Sequence, residues 1–153
     1  MTGAGADGGP SLLPSEKRKI SMTGNKRNQK ILIVDDVEPI LYVFERYLKK
    51  MGYETMTALD GVEGLAKWEA EKPDLVISDI RMPNMDGFEL ANAIRARNPD
   101  QKIILMSGFT NDIETLEKQR VHGYPFFSKP VDLNSTLGPV VRQVLEGKQR
   151  VSR

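Results

Sequence analysis

Short apolar runs recur along the chain, and each is followed by a longer stretch in which apolar residues return at helical spacing. Ile31-Leu32-Ile33-Val34, Leu75-Val76-Ile77 and Ile103-Ile104-Leu105-Met106 are continuous, the pattern of strands buried on both faces. Tyr53 to Thr57 alternates and predicts a second strand in chain order, and Tyr124 to Ser128 a fifth. Between the first two strands, Ile40, Phe44, Leu48 and Met51 mark one face of a helix with Pro39 in its first turn and Gly52 at its end. Asp60-Gly61-Val62-Glu63 has capping-box spacing. It opens a second helix carrying Val62, Leu65, Ala66 and Trp68, which stops before Pro73.

A third helix is marked by Phe88, Leu90, Ala91 and Ile94 and ends near Asn98-Pro99. Residues 111–120 predict a fourth, polar helix anchored only by Ile113 and Leu116, the most weakly held of the set. Asp132 caps a last helix through Leu133, Leu137, Val140, Val141, Val144 and Leu145. Gly138-Pro139 is a weak point in it or its true start. Five strands alternating with five helices specify an α/β fold with a mostly parallel sheet covered on both faces. Right-handed crossovers leave few topologies. The expectation is a flavodoxin-like, doubly wound (βα)5 sheet of order 2-1-3-4-5, with its first and third strands at the switch point.

Composition sets the boundaries. Residues 1–30 are rich in Gly, Ser, Pro and charge and offer little to bury, so a disordered tail is expected there. Met22 is an alternative translation start within it. The tail holds six basic and two acidic side chains, a net of +4; the whole chain is +1, which leaves −3 for the rest. A solvated tail is favoured over a nucleic-acid contact. The folded unit is expected over 31–146, followed by a short polar tail over 147–153. No apolar run approaches the roughly 20 residues of a membrane span, and no signal-peptide core is present, so a cytoplasmic location is expected. The absence of cysteine removes disulfides and thiolate metal sites.

The chemistry gathers at the carboxyl ends of the strands, where open α/β sheets bind ligands. Asp35 and Asp36 follow the first strand and Asp79 ends the third. Ser107 and Lys129 follow the fourth and fifth. Asp79 alone reads equally well as a helix N-cap. Together, three carboxylates in one pocket repel one another unless a cation neutralises them. With only oxygen donors and a single histidine far off in sequence, the cation that fits is Mg²⁺. Lys129 supplies a compact positive charge for a phosphate, and Ser107 a hydroxyl donor. A carboxylate can itself be a nucleophile and form an acyl phosphate. No P-loop, triad order or dinucleotide loop is present. A self-phosphorylating acceptor is therefore expected, not an enzyme that turns over substrates.

This set of residues resembles the receiver domain of two-component response regulators. The resemblance is carried by Asp35-Asp36, by Asp79-Ile80-Arg81-Met82-Pro83-Asn84-Met85-Asp86-Gly87, by Ser107-Gly108 and by Phe126-Phe127-Ser128-Lys129-Pro130. It spans residues 31 to about 146. It implies that Asp79 is the phosphoacceptor, served by a sensor histidine kinase or phosphotransfer protein. It implies that Asp36 and Asp79 bind Mg²⁺ directly and Asp35 through water, with the Arg81 backbone carbonyl completing the protein ligands. Lys129 would pair with the phosphoryl group, and Pro130 would follow it through a cis bond. Ser107 would move toward the phosphate and Phe126 would swing inward, switching the face built from the fourth helix, fifth strand and fifth helix. The chain departs from the family's habit at Val121-His122-Gly123-Tyr124-Pro125, where members often read Gly-Ala. Pro125 cannot donate to a ladder, so the fifth strand is an edge there or starts late.

Only 23 residues follow Pro130, and one helix uses most of them. No DNA-binding output is expected within the chain. The output would be protein binding or onward phosphotransfer to an unidentified protein target. Two other readings stand beside this one. A receiver-fold module could bind its partner without phosphorylation. A Mg²⁺-dependent phosphatase could use the same aspartyl nucleophile, although Arg81 stands where such enzymes usually place a second acid. His122 reads as a surface residue, Trp68 as packed against the sheet or its rim, and the methionines as core or loop filler.

Overall fold

The computed structural model describes residues 29–108, 117 and 123–147. All of the tail expected over 1–30 except Gln29 and Lys30, most of the helix expected over 111–120, His122 and residues 148–153 lie outside them. Five strands form one parallel sheet, β1 (Lys30–Val34), β2 (Glu54–Ala58), β3 (Leu75–Asp79), β4 (Lys102–Ser107) and β5 (Phe126–Ser128), in the order β2-β1-β3-β4-β5. β1 begins at Lys30, one residue before the apolar run.

The sheet divides two cores by the alternation of its strands. Ile31, Ile33, Ile77, Ile104 and Met106 meet Leu41, Phe44 and Leu48 of helix α1 (Glu38–Lys50), with Leu137 and Val141 from the C-terminal helix. Leu32, Val34, Val76, Ile103 and Leu105 meet Trp68 of α2 (Gly61–Glu71) and Phe88, Leu90, Ala91 and Ile94 of α3 (Gly87–Arg97). Both faces of the central strands are thus covered, which is why they read as unbroken apolar runs. Each such side chain, fully buried, contributes about 1.5–3 kcal/mol.

The helices differ from their predicted faces in instructive ways. In α1 the buried stripe is Leu41, Phe44 and Leu48, with Ile40 and Met51 only partly covered. In α2 the packed face is Gly61, Gly64 and Trp68, while Val62 is 53% exposed. A Cβ at Gly64 would crowd Val34 and Leu90, so the helix lies close because it lacks one. Asp60 caps α2 through the Glu63 amide, but the Glu63 carboxylate accepts from Leu59 and not from Asp60. The reciprocal capping box is instead at Asp86 and Glu89, opening α3.

The segment after Asp132 begins as a π-helical stretch, Leu133–Leu137, and becomes α-helical over Gly138–Glu146 with Pro139 in the first turn. Gly138 leaves the room that the Tyr47 hydroxyl fills. β5 starts late, at Phe126. Pro125 accepts from the Leu105 amide through its carbonyl and lies just ahead of this edge strand. Tyr124 is buried, donates to Asn92 Oδ1 at 3.1 Å and lies under the Arg95 guanidinium, 5.1 Å from the ring centroid. Arg95 Nε donates to the Gln101 carbonyl, and the Gln101 side chain accepts from the indole of Trp68 at 2.8 Å. Among the described residues no helix is long and apolar enough to cross a membrane.

Candidate functional site

Four of the five strand ends, those of β1, β3, β4 and β5, deliver the groups of the site. The Asp35 amide still bonds the Ala58 carbonyl, so the β1–β2 pairing runs one residue past Val34 and fixes Asp35 in place. Its side chain is fully buried, with Oδ1 accepting from the Val37 amide at 2.9 Å. Asp79 is the last residue of β3, paired with Met106 of β4 and 5% exposed. Ser107 ends β4 and is buried. Its carbonyl accepts from the Lys129 amide, which extends the β4–β5 ladder past Ser128 and turns Lys129 toward the acids. Lys129 Nζ lies 2.9 Å from Asp35 Oδ2 and 3.1 Å from Asp79 Oδ1. The Lys129–Pro130 peptide is cis.

Asp35, Asp36 and Asp79 each bring a carboxylate oxygen within 4.8 Å of the others. One ammonium faces three acids, and the imbalance registers on Asp79. Burial and the neighbouring Asp35 push its carboxyl up to about 6, and Lys129 only partly offsets them. Burial alone would lower the Lys129 ammonium, but Asp35 and Asp79 hold it above its ordinary value. The donor set is all oxygen and over-acidic, which suits a hard divalent cation. Asp36 is exposed and open to such an ion, whereas both Asp35 oxygens are already engaged.

The loop from Ile80 to Asp86 closes beside the acids. The Gly87 amide bonds the Ile80 carbonyl at 2.8 Å, and a Cβ on Gly87 would collide with the Asp79 carbonyl. The Ser78 hydroxyl also donates to that carbonyl at 2.8 Å. Arg81, inside this loop, is exposed. Of the residues singled out in the sequence, Asp35, Asp36, Asp79 and Lys129 come together, with Ser107 at the adjoining strand end. Phe126 does not join them; it is half-buried in β5 against the core on the α2–α3 side. Sequence reasoning missed a second use of Asp60, whose Oδ2 accepts from Asn84 Nδ2 of this loop at 2.8 Å. In the sequence the Asp60-Gly61 pair read only as a helix start.

A family model described as response regulator receiver domain matches residues 31–138. Sporulation initiation phosphotransferase F of Bacillus subtilis is 32% identical over 107 residues, 70% of this chain and 86% of that protein. The alkaline phosphatase synthesis transcriptional regulatory protein PhoP of the same species is 30% identical over 119 residues, 76% of this chain but only 50% of that protein. The chain thus spans about half the length of PhoP. Among solved structures, the response regulator TrrA of Thermotoga maritima in complex with Mg²⁺ and BeF superposes with a TM-score of 0.67 at 32% identity. That match covers 76% of this chain and 98% of TrrA. The signal receiver domain of an HD-domain protein from Pseudomonas fluorescens gives 0.73 at 33% identity, covering 80% and 98%. Parallel sheet order, acid cluster and bridging lysine agree with that match over the folded part, and the chain belongs to the response regulator receiver domains.

Proposed function

We propose that this receiver is a phosphorylation switch of a two-component or phosphorelay system, with Asp79 as its phosphoacceptor. The observation that carries the reading is the bridging of Asp35 and Asp79 by Lys129 Nζ at the mouth of the sheet. In the transfer, an Asp79 carboxylate oxygen forms the new bond to phosphorus. The bond from phosphorus to the donor's imidazole nitrogen breaks, and its electron pair leaves with that nitrogen. With acetyl phosphate the leaving group is acetate. Lys129 turns from its acids to the phosphoryl oxygens, and the Ser107 hydroxyl donates to one of them.

Asp36 and Asp79 would hold Mg²⁺ directly, Asp35 would act through water, and the Arg81 carbonyl would complete the protein ligands. The bound ion supplies positive charge against the phosphoryl oxygens during transfer. Phe126, on the edge strand, carries the change outward toward β5 and the C-terminal helix; the fourth helix expected to share that face lies outside the described residues. The phosphoryl donor is a sensor histidine kinase or phosphotransfer protein, the site of action is cytoplasmic, and the output is protein binding or onward phosphotransfer, without direct DNA contact. The phosphotransferase named among the relatives supports this reading.

The test is intact mass after incubation with acetyl phosphate, with and without Mg²⁺, beside Asp79→Asn. A single phosphoryl adduct that needs Mg²⁺, is labile to base and is absent from the variant is expected. An adduct of equal yield on Asp79→Asn would overturn the assignment.

A further inference from the structure

We infer that Asp60, outside the acid cluster, is a positioning residue for the Mg²⁺ site, an inference that rests on the phosphoacceptor reading above. Its two carboxylate oxygens do different work. Oδ1 accepts from the Glu63 amide at 2.8 Å and caps α2. Oδ2 accepts from Asn84 Nδ2 at 2.8 Å and ties down the loop that follows Asp79. A helix cap needs only the first of these bonds.

The loop is held at three places. Its base is closed by the Gly87 amide on the Ile80 carbonyl. Met85 is seated on the first turn of α2, where Gly61 lacks the Cβ that would strike the Met85 carbonyl. Asn84, with φ of 71°, turns the chain through the left-handed region, and that turn presents its amide to Asp60. Arg81 lies between the closed base and this tip. Its carbonyl, unlike a carboxylate, cannot rotate independently of the backbone, so its position is that of the loop. A ligand of this kind is only as well placed as the groups supporting it. Asp60 and Gly61 therefore make α2 a platform on which the carbonyl ligand is preset before the ion arrives.

Substitutions can separate the two roles of Asp60. Asp60→Ser keeps a good N-cap but loses the acceptor for Asn84. Asn84→Gly removes the amide from the other side while favouring the same positive φ. Asp60→Asn keeps the cap, and a flipped Asn84 amide restores the bond. Mg²⁺ titration by calorimetry should show affinity roughly three- to tenfold weaker in Asp60→Ser and in Asn84→Gly, the range for one lost hydrogen bond. The double variant should be no weaker than either single one, and Asp60→Asn should recover. In the metal-free protein, amide exchange at Met85 and Gly87 should quicken in both weakened variants while the circular dichroism of the helices is retained. Wild-type Mg²⁺ affinity in Asp60→Ser, or additive losses in the double variant, would overturn the inference and leave the phosphoacceptor reading standing. Failure of the wild-type protein itself to take up Mg²⁺ would remove that reading and this one with it.

Discussion

Asp79 faces more negative charge than Lys129 offsets, and that has a measurable cost. Its carboxyl, pushed up to about 6 from 3.8 by burial and Asp35, favours the folded state fully below about 3.8, and this contribution is lost as the pH rises through about 6. At 1.36 kcal/mol per unit the loss is at most about 3 kcal/mol. Metal-free Asp79→Asn should therefore be more stable than the parent protein at pH 7.5 by up to that amount, with the advantage gone by pH 4. Urea denaturation across this range checks it. Lys129→Ala should move the Asp79 carboxyl above about 6, since Lys129 pulls it down, and carbon NMR of the carboxyl reads the shift directly. The four charged residues that meet were legible because each follows an apolar run, and strand ends of a parallel sheet converge. The Asn84–Asp60 bond was not legible, because it depends on the path of a loop through a left-handed residue. No periodicity encodes such a path.

At the scale of elements, local signals located the helices better than they located their faces. Asp86 opens α3 with both halves of a capping box, so Asp86→Ala should cost about 1 kcal/mol, read from the thermal midpoint. Ile77, fully buried in the central strand, should cost about 2–5 kcal/mol on change to Ala. The α2 face was misjudged because Val62 attracts attention as an apolar residue, whereas the close approaches are made by glycines, Gly64 against Val34 of β1 and Gly61 against Met85. Hydrophobicity counts what a side chain buries; it does not count the room that a missing one leaves. β5 is short because Pro125 has no amide to give. Tyr124, just before it, is committed to α3 through Asn92 and Arg95.

At the scale of the molecule, the fold gathers its buried acids at one end of the sheet and leaves the other end to structural contacts. Mg²⁺ should raise the stability of the wild-type protein by about 2.7 kcal/mol at a hundredfold excess over its dissociation constant, a gain reduced in Asp36→Asn. Scanning calorimetry with and without chelator measures it. Sheet order was legible from the alternation of elements and the handedness of crossovers. Trp68 was expected against the sheet or its rim and is buried there, but the bond by which it knits the far end together was not legible. Trp68 is the chain's only tryptophan, and its indole is buried and bonded to Gln101 beside a hollow lined by Lys72, Asp74, Arg97 and Lys102. These residues lie where β3 and β4 begin, whereas Asp79 and Ser107 lie where they end. The protein's ultraviolet emission therefore has a single indole source, placed to report unfolding and not occupancy of the acid cluster. A variant whose emission colour matches the parent but which takes up no phosphoryl group has lost its chemistry, whereas a red-shifted one has lost its fold.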